Sequence, residues 1–439
     1  MPDRFKKSRP KREEIDEAKK RILDSLACFY GAFKDKPGRV LRETLTADVT
    51  GSASLWGTSR HVPPEMAAWA NGTCVRTLDF NDTYLSKEPC HPSDLIASLW
   101  AACEVSGNKR QGRLLLGAIV LGYDVLCRLC DANSIRVRGW DHVTYLPIAS
   151  AVACSYILGL TPEQTRNAIA LSVVGNNALR QTRVGTISDW KASCAAYAAR
   201  AGLSAARLAQ QGFTGPTDIF EGRNGFFRQV SGPFKLPARS GGILSTHTKF
   251  FPAEHHAQSA IEAAISLRRG LHHPSIRSIQ IDAFSVAVEI IGSEKEKWRP
   301  TTRETADHSL PYLVAAALSD GDITLEQYEN KRFLDADIRK LMSRVRVKAV
   351  PEYSKMYPSK MPTRVIVKLR NGMNYSREVV SPMGYAGRPM SWGQVEDKFT
   401  RLATKRMGPA KRSALVRALA DFESVDRLSS LNSKMEVDR

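Results

Sequence analysis

Apolar positions recur at helical spacing through most of the first 258 residues. Between Ile15 and Phe33, the residues Ile15, Ala18, Ile22, Leu23, Leu26, Ala27 and Tyr30 fall on one face of a 3.6-residue period. Leu160-Thr161-Pro162-Glu163-Gln164 carries a helix start: Thr161 as N-cap, Pro162 at the first position, Gln164 closing a capping box. Cys194–Gln211 is rich in Ala and other small residues, so its neighbours can pack close, and Gly212 ends it. The pattern therefore predicts helix after helix from Glu13 to about Gln258.

The period changes after about Ile261–Arg269. Ile276–Ile291 alternates and is rich in β-branched residues, so at least part of it is expected as strand. Asp307–Leu318 returns to helical spacing. Val345–Val350 and Thr363–Arg370 read as strands, and Asn371-Gly372 leading into Met373–Val380 is a hairpin signal. Ser391 and Gln394 then cap a last helical segment. The predicted fold is mainly α with an α+β second domain. A large helical domain (1–262) is interrupted by a smaller α/β lid domain (263–388) and resumes over 389–439.

With 439 residues, 43% hydrophobic and 25% charged, the chain has ample material for a large core. No apolar run reaches the ~18 residues of a membrane span, and Met1–Lys20 lacks the apolar stretch of a secretory signal. A cytoplasmic protein without membrane partners is expected. The net charge of +19 comes from 64 basic residues scattered among 45 acidic ones. Without a basic block or a nucleic-acid motif, nucleic acid is not the expected partner; steering of a small polyanion fits the charge better. All eight cysteines precede residue 195, mostly in apolar helical contexts, as buried reduced thiols do. Cys127-x-x-Cys130 is the one pair with ligand spacing, and no second pair exists to complete a zinc site. An iron–sulfur cluster there would require a third thiol in an exposed pocket.

The chemistry-bearing residues gather at element boundaries. Leu78-Asp79-Phe80-Asn81-Asp82-Thr83-Tyr84, followed by His91-Pro92-Ser93-Asp94, crowds carboxylates, hydroxyls and an imidazole into a segment broken by Pro89 and Pro92. His142 sits in Gly139-Trp140-Asp141-His142-Val143-Thr144-Tyr145. Ser188-Asp189-Trp190-Lys191 precedes the Ala-rich helix, Lys249 opens a segment that runs to His255-His256, and His308 precedes Ser309-Leu310-Pro311-Tyr312. There is no Gly-x-Ser-x-Gly elbow, phosphate loop, GxGxxG or HExxH. The expectation is acid/base chemistry on a small anion, with no metal and no organic cofactor.

These motifs, in this order, make the chain resemble the MmgE/PrpD family, which includes 2-methylcitrate dehydratases and cis-aconitate decarboxylases. The resemblance runs from about Ile15 to Phe399. It implies a helical domain plus a smaller α/β lid domain, a homodimer, and a site between the two domains. By motif it places Asp79, Thr83, His91, His142, Lys191, Lys249 and Tyr312 in that site, with His256 aligning better than the adjacent His255. The wording of TRETADHSLPY, GWDHVTY and PAEHHAQSA is closer to the dehydratase branch. The implied reaction is a metal-independent dehydration of 2-methylcitrate, or a related tricarboxylate, to 2-methyl-cis-aconitate.

Such a β-elimination needs a base for a proton α to a carboxylate, an acid for the departing hydroxyl, and cations for the charge that develops. Lys191 and Lys249 suit the last role and Arg183 can join them. His142 or Asp79 is the expected base, and His91 or Tyr312 the expected acid. Decarboxylation or isomerisation of a comparable polyacid would use nearly the same groups, and a basic binding protein on a retired scaffold is the reading from a different class.

Overall fold

The computed structural model describes residues 10–45, 47–184, 187–268 and 275–438. The chain divides into two compact units: residues up to Thr246 together with Ser391 onward, and His247–Met390.

The first unit is helical. Its main helices are α1 (Arg12–Gly31), α2 (Lys36–Thr44), α3 (Pro64–Thr77), α4 (Ile96–Val105), α5 (Gln111–Ala132), α6 (Leu146–Leu158), α7 (Pro162–Val174) and α8 (Trp190–Gln210). A short antiparallel ribbon, β1 (Ala53–Ser54) with β2 (His61–Val62), joins α2 to α3. The expected caps are present: Thr161 Oγ1 accepts from the Gln164 N–H, and the Gln164 side chain accepts in return. The Ala-rich α8 is the hub, packing on α3, α6 and α7. Close approach explains two of its contacts. A Cβ on Gly72 of α3 would lie 2.8 Å from the Ala196 Cβ, and one on Gly202 would lie 2.5 Å from the Pro147 carbonyl.

The second unit holds α9 (Gln258–Arg268), α10 (Leu310–Asp320) and a four-stranded sheet in the order β4-β3-β5-β6. Strand β3 (Ile276–Ala283) pairs parallel with β4 (Val345–Ala349) and antiparallel with β5 (Thr363–Leu369). The Asn371-Gly372 turn, with Gly372 at φ +90°, returns β5 into β6 (Asn374–Val379). A register shift between Ile276 and Ser278 turns Ile276, Ile279 and Ile281 all inward, although 276 and 279 differ in parity. They pack with Val365, Val367 and the apolar faces of α9 and α10. The chain then returns to the first unit as α11 (Trp392–Ala403) and α12 (Pro409–Ala420), opened by the expected Ser391–Gln394 capping box.

Two expectations need correction. The first boundary falls after Thr246 rather than near residue 262, because Ala260, Ile261, Ala263 and Ala264 of α9 belong to the core of the sheet unit. The succession of long helices also stops at Gln210. Between 211 and 257 only short helical turns form, in a stretch interrupted by Gly215, Pro216, Gly222, Gly225, Gly232 and Pro233. Among the described residues no helix is long and apolar enough to cross a membrane.

Candidate active site

The loop after α3 is built by its own polar groups. Asp79 takes a left-handed backbone (φ +50°) just past the helix end, where glycine is the usual choice, and its N–H bonds the Arg76 carbonyl. That turn sends the Asp79 carboxylate back to Arg76, whose Nη1 lies 2.5 Å from Oδ1. Asp82 is fully buried and accepts from the Tyr123 hydroxyl (2.8 Å) and the Ser93 N–H (2.9 Å). Lys398 of α11 donates to the Phe80 carbonyl (2.8 Å) and pairs with Asp24 (2.6 Å), so the returning helix pins the same loop. Thr83 donates to the Cys90 carbonyl (3.2 Å), and Tyr84 and Cys90 form a backbone bridge. Its hydroxyl thus closes the loop that presents His91.

His91 Nδ1 lies 2.7 Å from the Asp82 carbonyl, and Nε2 lies 3.0 Å from Arg76 Nη2. A carbonyl only accepts and a guanidinium only donates, so the ring carries its hydrogen on Nδ1 and accepts at Nε2. Its ring centre is 5.8 Å from that of His142. His142 opens the helical turn leading into α6, and Asp141 caps it by accepting from the Val143 N–H. Asp141 Oδ1 lies 2.9 Å from His142 Nδ1, and Oδ2 lies 2.8 Å from Arg183 Nε. His142 Nε2 is buried and has no hydrogen-bond partner among the described residues. Burial, then the Arg183 charge, lowers the His142 pKa below its ordinary value, with Asp141 opposing. Asp141 is buried, yet His142 and Arg183 hold it well below the usual carboxylate range. Lys191, in the first turn of α8, reaches Asp79 Oδ2 at 3.4 Å.

The helical unit therefore brings together Asp79, Thr83, His91, His142, Arg183 and Lys191. Arg76, Asp94 and Asp141 join them without having been singled out for the site. Asp141 had a legible signal, an acid directly before a histidine at a helix start. Asp94 is wholly buried; burial pushes its carboxyl up to about 7 against the opposing pull of Arg76. A folded pKa above the unfolded value means that its contribution to stability is full below about pH 4 and is lost as pH rises towards 7. Asp94→Asn is thus expected to flatten the dependence of Tm on pH between those values. Equal slopes for wild type and variant in a thermal-melt series would refute this.

The second unit holds Lys249, His256 and Tyr312, but not as one group. His256 Nδ1 lies 2.7 Å from Glu254 Oε1, and Nε2 lies 3.2 Å from the Tyr357 hydroxyl. Burial raises the Glu254 pKa, but His256, then His308 and Lys249, outweigh it and bring the carboxyl down to about 2. His255 instead stacks in line with His247 and Tyr385. Tyr312, one of the two expected acids, lies apart from His256. It is fully buried in the apolar core, its ring meets Phe333 edge-on, and its hydroxyl donates to the Gln327 carbonyl (3.1 Å). Ser309 caps α10 by accepting from the Tyr312 N–H, which fixes the residue on the inward face.

Cys90 does lie beside Cys127 and Cys130, but all three are buried, and burial lifts Cys90 and Cys127 well above the usual thiol range. Among the described residues no three His, Cys, Asp or Glu side chains are grouped to hold a metal ion.

The helical unit thus presents a carboxylate-oriented imidazole with an open nitrogen, and holds Arg183 on Asp141 and Arg76 and Lys191 on Asp79. An imidazole held this way can take up and return a proton, and the cations can balance an anion. Residues 3–239 match the MmgE/PrpD N-terminal domain and residues 251–421 the MmgE/PrpD C-terminal domain, so the chain belongs to the MmgE/PrpD family. It is 28% identical to a 2-methylcitrate dehydratase of Cupriavidus necator over 92% of this chain and 89% of that protein. It is also 28% identical to the Escherichia coli 2-methylcitrate dehydratase, over 84% and 81% of the two chains. A mouse cis-aconitate decarboxylase is 26% identical over 95% of this chain and 88% of its own.

Proposed function

We propose that this protein is a metal-independent lyase that dehydrates 2-methylcitrate, or a related tricarboxylate, to 2-methyl-cis-aconitate. The observation that carries the reading is the Asp141–His142 pair with its open Nε2. The imidazole takes the proton α to a carboxylate, the released electron pair forms the C=C bond, and the β-hydroxyl leaves as water. Lys191 and Arg183 stabilise the charge that develops on the carboxylate. Asp79 is a poor base, because Arg76 and Lys191 engage its two oxygens. With His91 Nε2 accepting from Arg76, the protonated His142 is the donor in this unit best suited to the departing hydroxyl.

Several curated relatives carry the dehydratase name, which supports this branch. The decarboxylase relative supports a second reading, loss of CO2 from cis-aconitate with the same cations and one proton donor. Chelator-treated protein offered 2-methylcitrate, citrate and isocitrate in turn should raise ultraviolet absorbance with 2-methylcitrate. Itaconate and CO2 from cis-aconitate would favour the second reading, and silence on all four would sink both. A cytoplasmic homodimer belongs to the same proposal; light scattering on a sizing column tests the dimer.

A further inference from the structure

We propose that Arg76 is a positioning residue that sets the hydrogen-bonding state of His91 and the orientation of Asp79. The inference rests on the lyase reading for its kinetic consequences but not for its geometry. Arg76 lies on α3, whose surface is buried on nearly every side there, and its side chain is 3% exposed. A buried guanidinium must find acceptors. The Asp79 carboxylate at 2.5 Å is one negative charge for one positive, and Asp94 lies further off at 3.9 Å. Yet one of its N–H groups goes to an imidazole nitrogen, His91 Nε2 at 3.0 Å. Charge balance alone does not require that contact. Its effect is to make His91 an acceptor at Nε2, with the ring hydrogen held on the Asp82 carbonyl. The same fork turns Asp79 towards Lys191. One side chain thereby ties three site groups to a rigid helix, and displacements of about 1 Å in such groups can cost on the order of 10²-fold in rate.

The test uses Arg76→Lys, Arg76→Gln and the double variant Arg76→Gln/Asp94→Asn, which removes one of the two buried acids beside the lost guanidinium while Asp79 keeps Lys191. In Arg76→Gln and the double variant kcat is expected to fall by about 10- to 100-fold, with KM little changed. Added methylguanidinium should restore part of the rate to the double variant, and lysine, lacking the fork, should restore little. A merely structural role would show no rescue. Nitrogen NMR of histidine-labelled protein, with His91 assigned through His91→Gln, reads the ring independently of any activity. Wild type should show hydrogen on Nδ1 and an Nε2 resonance shifted by accepting from a guanidinium; in the double variant the Asp82 carbonyl still holds the Nδ1 hydrogen, and the Nε2 resonance should move to that of a nitrogen without that donor. Wild-type kcat in the double variant, an absent rescue, a wild-type His91 bearing hydrogen on Nε2, or an Nε2 resonance unmoved by the loss of Arg76 would each overturn the proposal. If wild type turns over none of the substrates, the lyase reading fails, and the NMR result alone decides the role of Arg76. If the glutamine variants do not fold, the Nε2 resonance of Arg76→Lys carries the same comparison.

Discussion

Replacing His142 with Ala is expected to lower kcat by about 10³-fold, within the range that a positioned acid/base group supplies. The expectation follows from one nitrogen. Nδ1 faces the Asp141 carboxylate at 2.9 Å, so the ring hydrogen sits there and Nε2 presents its lone pair. Asp141→Asn should be nearly as damaging, although the shapes are alike. An amide can donate to Nδ1, which moves the ring hydrogen to Nε2 and blocks the base. The negative charge that stabilises the imidazolium is lost as well. The pH profile offers a second check. His142 acts as base only when neutral, and burial with the Arg183 charge places its pKa below the ordinary value. Activity should therefore persist at neutral pH and fall only as pH drops below about 6.5. Arg183→Gln removes one lowering cause, so the acidic limb of kcat/KM should move to higher pH. A limb above 6.5 in wild type, unmoved by Arg183→Gln, would rule out His142 as the base.

Much of this site was legible because its parts are local. Thr161 with Gln164 and Ser391 with Gln394 signal helix starts within four residues, and the Asn371-Gly372 turn signals its hairpin directly. Asp79, His91, His142 and Lys191 stand out because polar residues at the edges of apolar helices are conspicuous. The illegible parts are those fixed by partners distant in sequence. Lys398 reaches Phe80 and Asp24 across more than 300 positions, and nothing in its own helix announces that it is 1% exposed. Arg76 drew no attention in the sequence because its partners, Asp79 and His91, come from the loop that follows α3 and its burial comes from other helices. Tyr312 shows a different limit of motif reading. Its motif matched, but Ser-Leu-Pro-Tyr is first of all a capped helix start, and that geometry sends the phenol into the core. The boundary near residue 262 failed for a related reason. A helical pattern shows that α9 is a helix, not which core its alanines complete.

Lys191→Ala is expected to lower kcat by about 10²- to 10³-fold, the scale of losing one group aimed at developing charge. The ammonium stands in the first turn of α8, a helix of 21 residues, so the positive end of the helix dipole adds to its field. An ammonium has three N–H donors, and Asp79 Oδ2, at 3.4 Å, engages one of them. That long, partly exposed pair orients the lysine without saturating it. The way the loss divides between constants then tests what the lysine does. If it stabilises the charge that grows as the α-proton departs, kcat falls and KM moves little. If it only holds a spectator carboxylate, KM rises while kcat stays. Lys191→Arg keeps the charge but spreads it over a wider planar group, and should recover binding better than turnover. Asp79→Asn releases the lysine from its orienting partner and strips Arg76 of one buried carboxylate. It should therefore depress kcat even though the cation remains. A Lys191→Ala enzyme with wild-type kcat and a raised KM would remove the lysine from the chemical step and leave Arg183, which pairs with Asp141, to meet the developing charge.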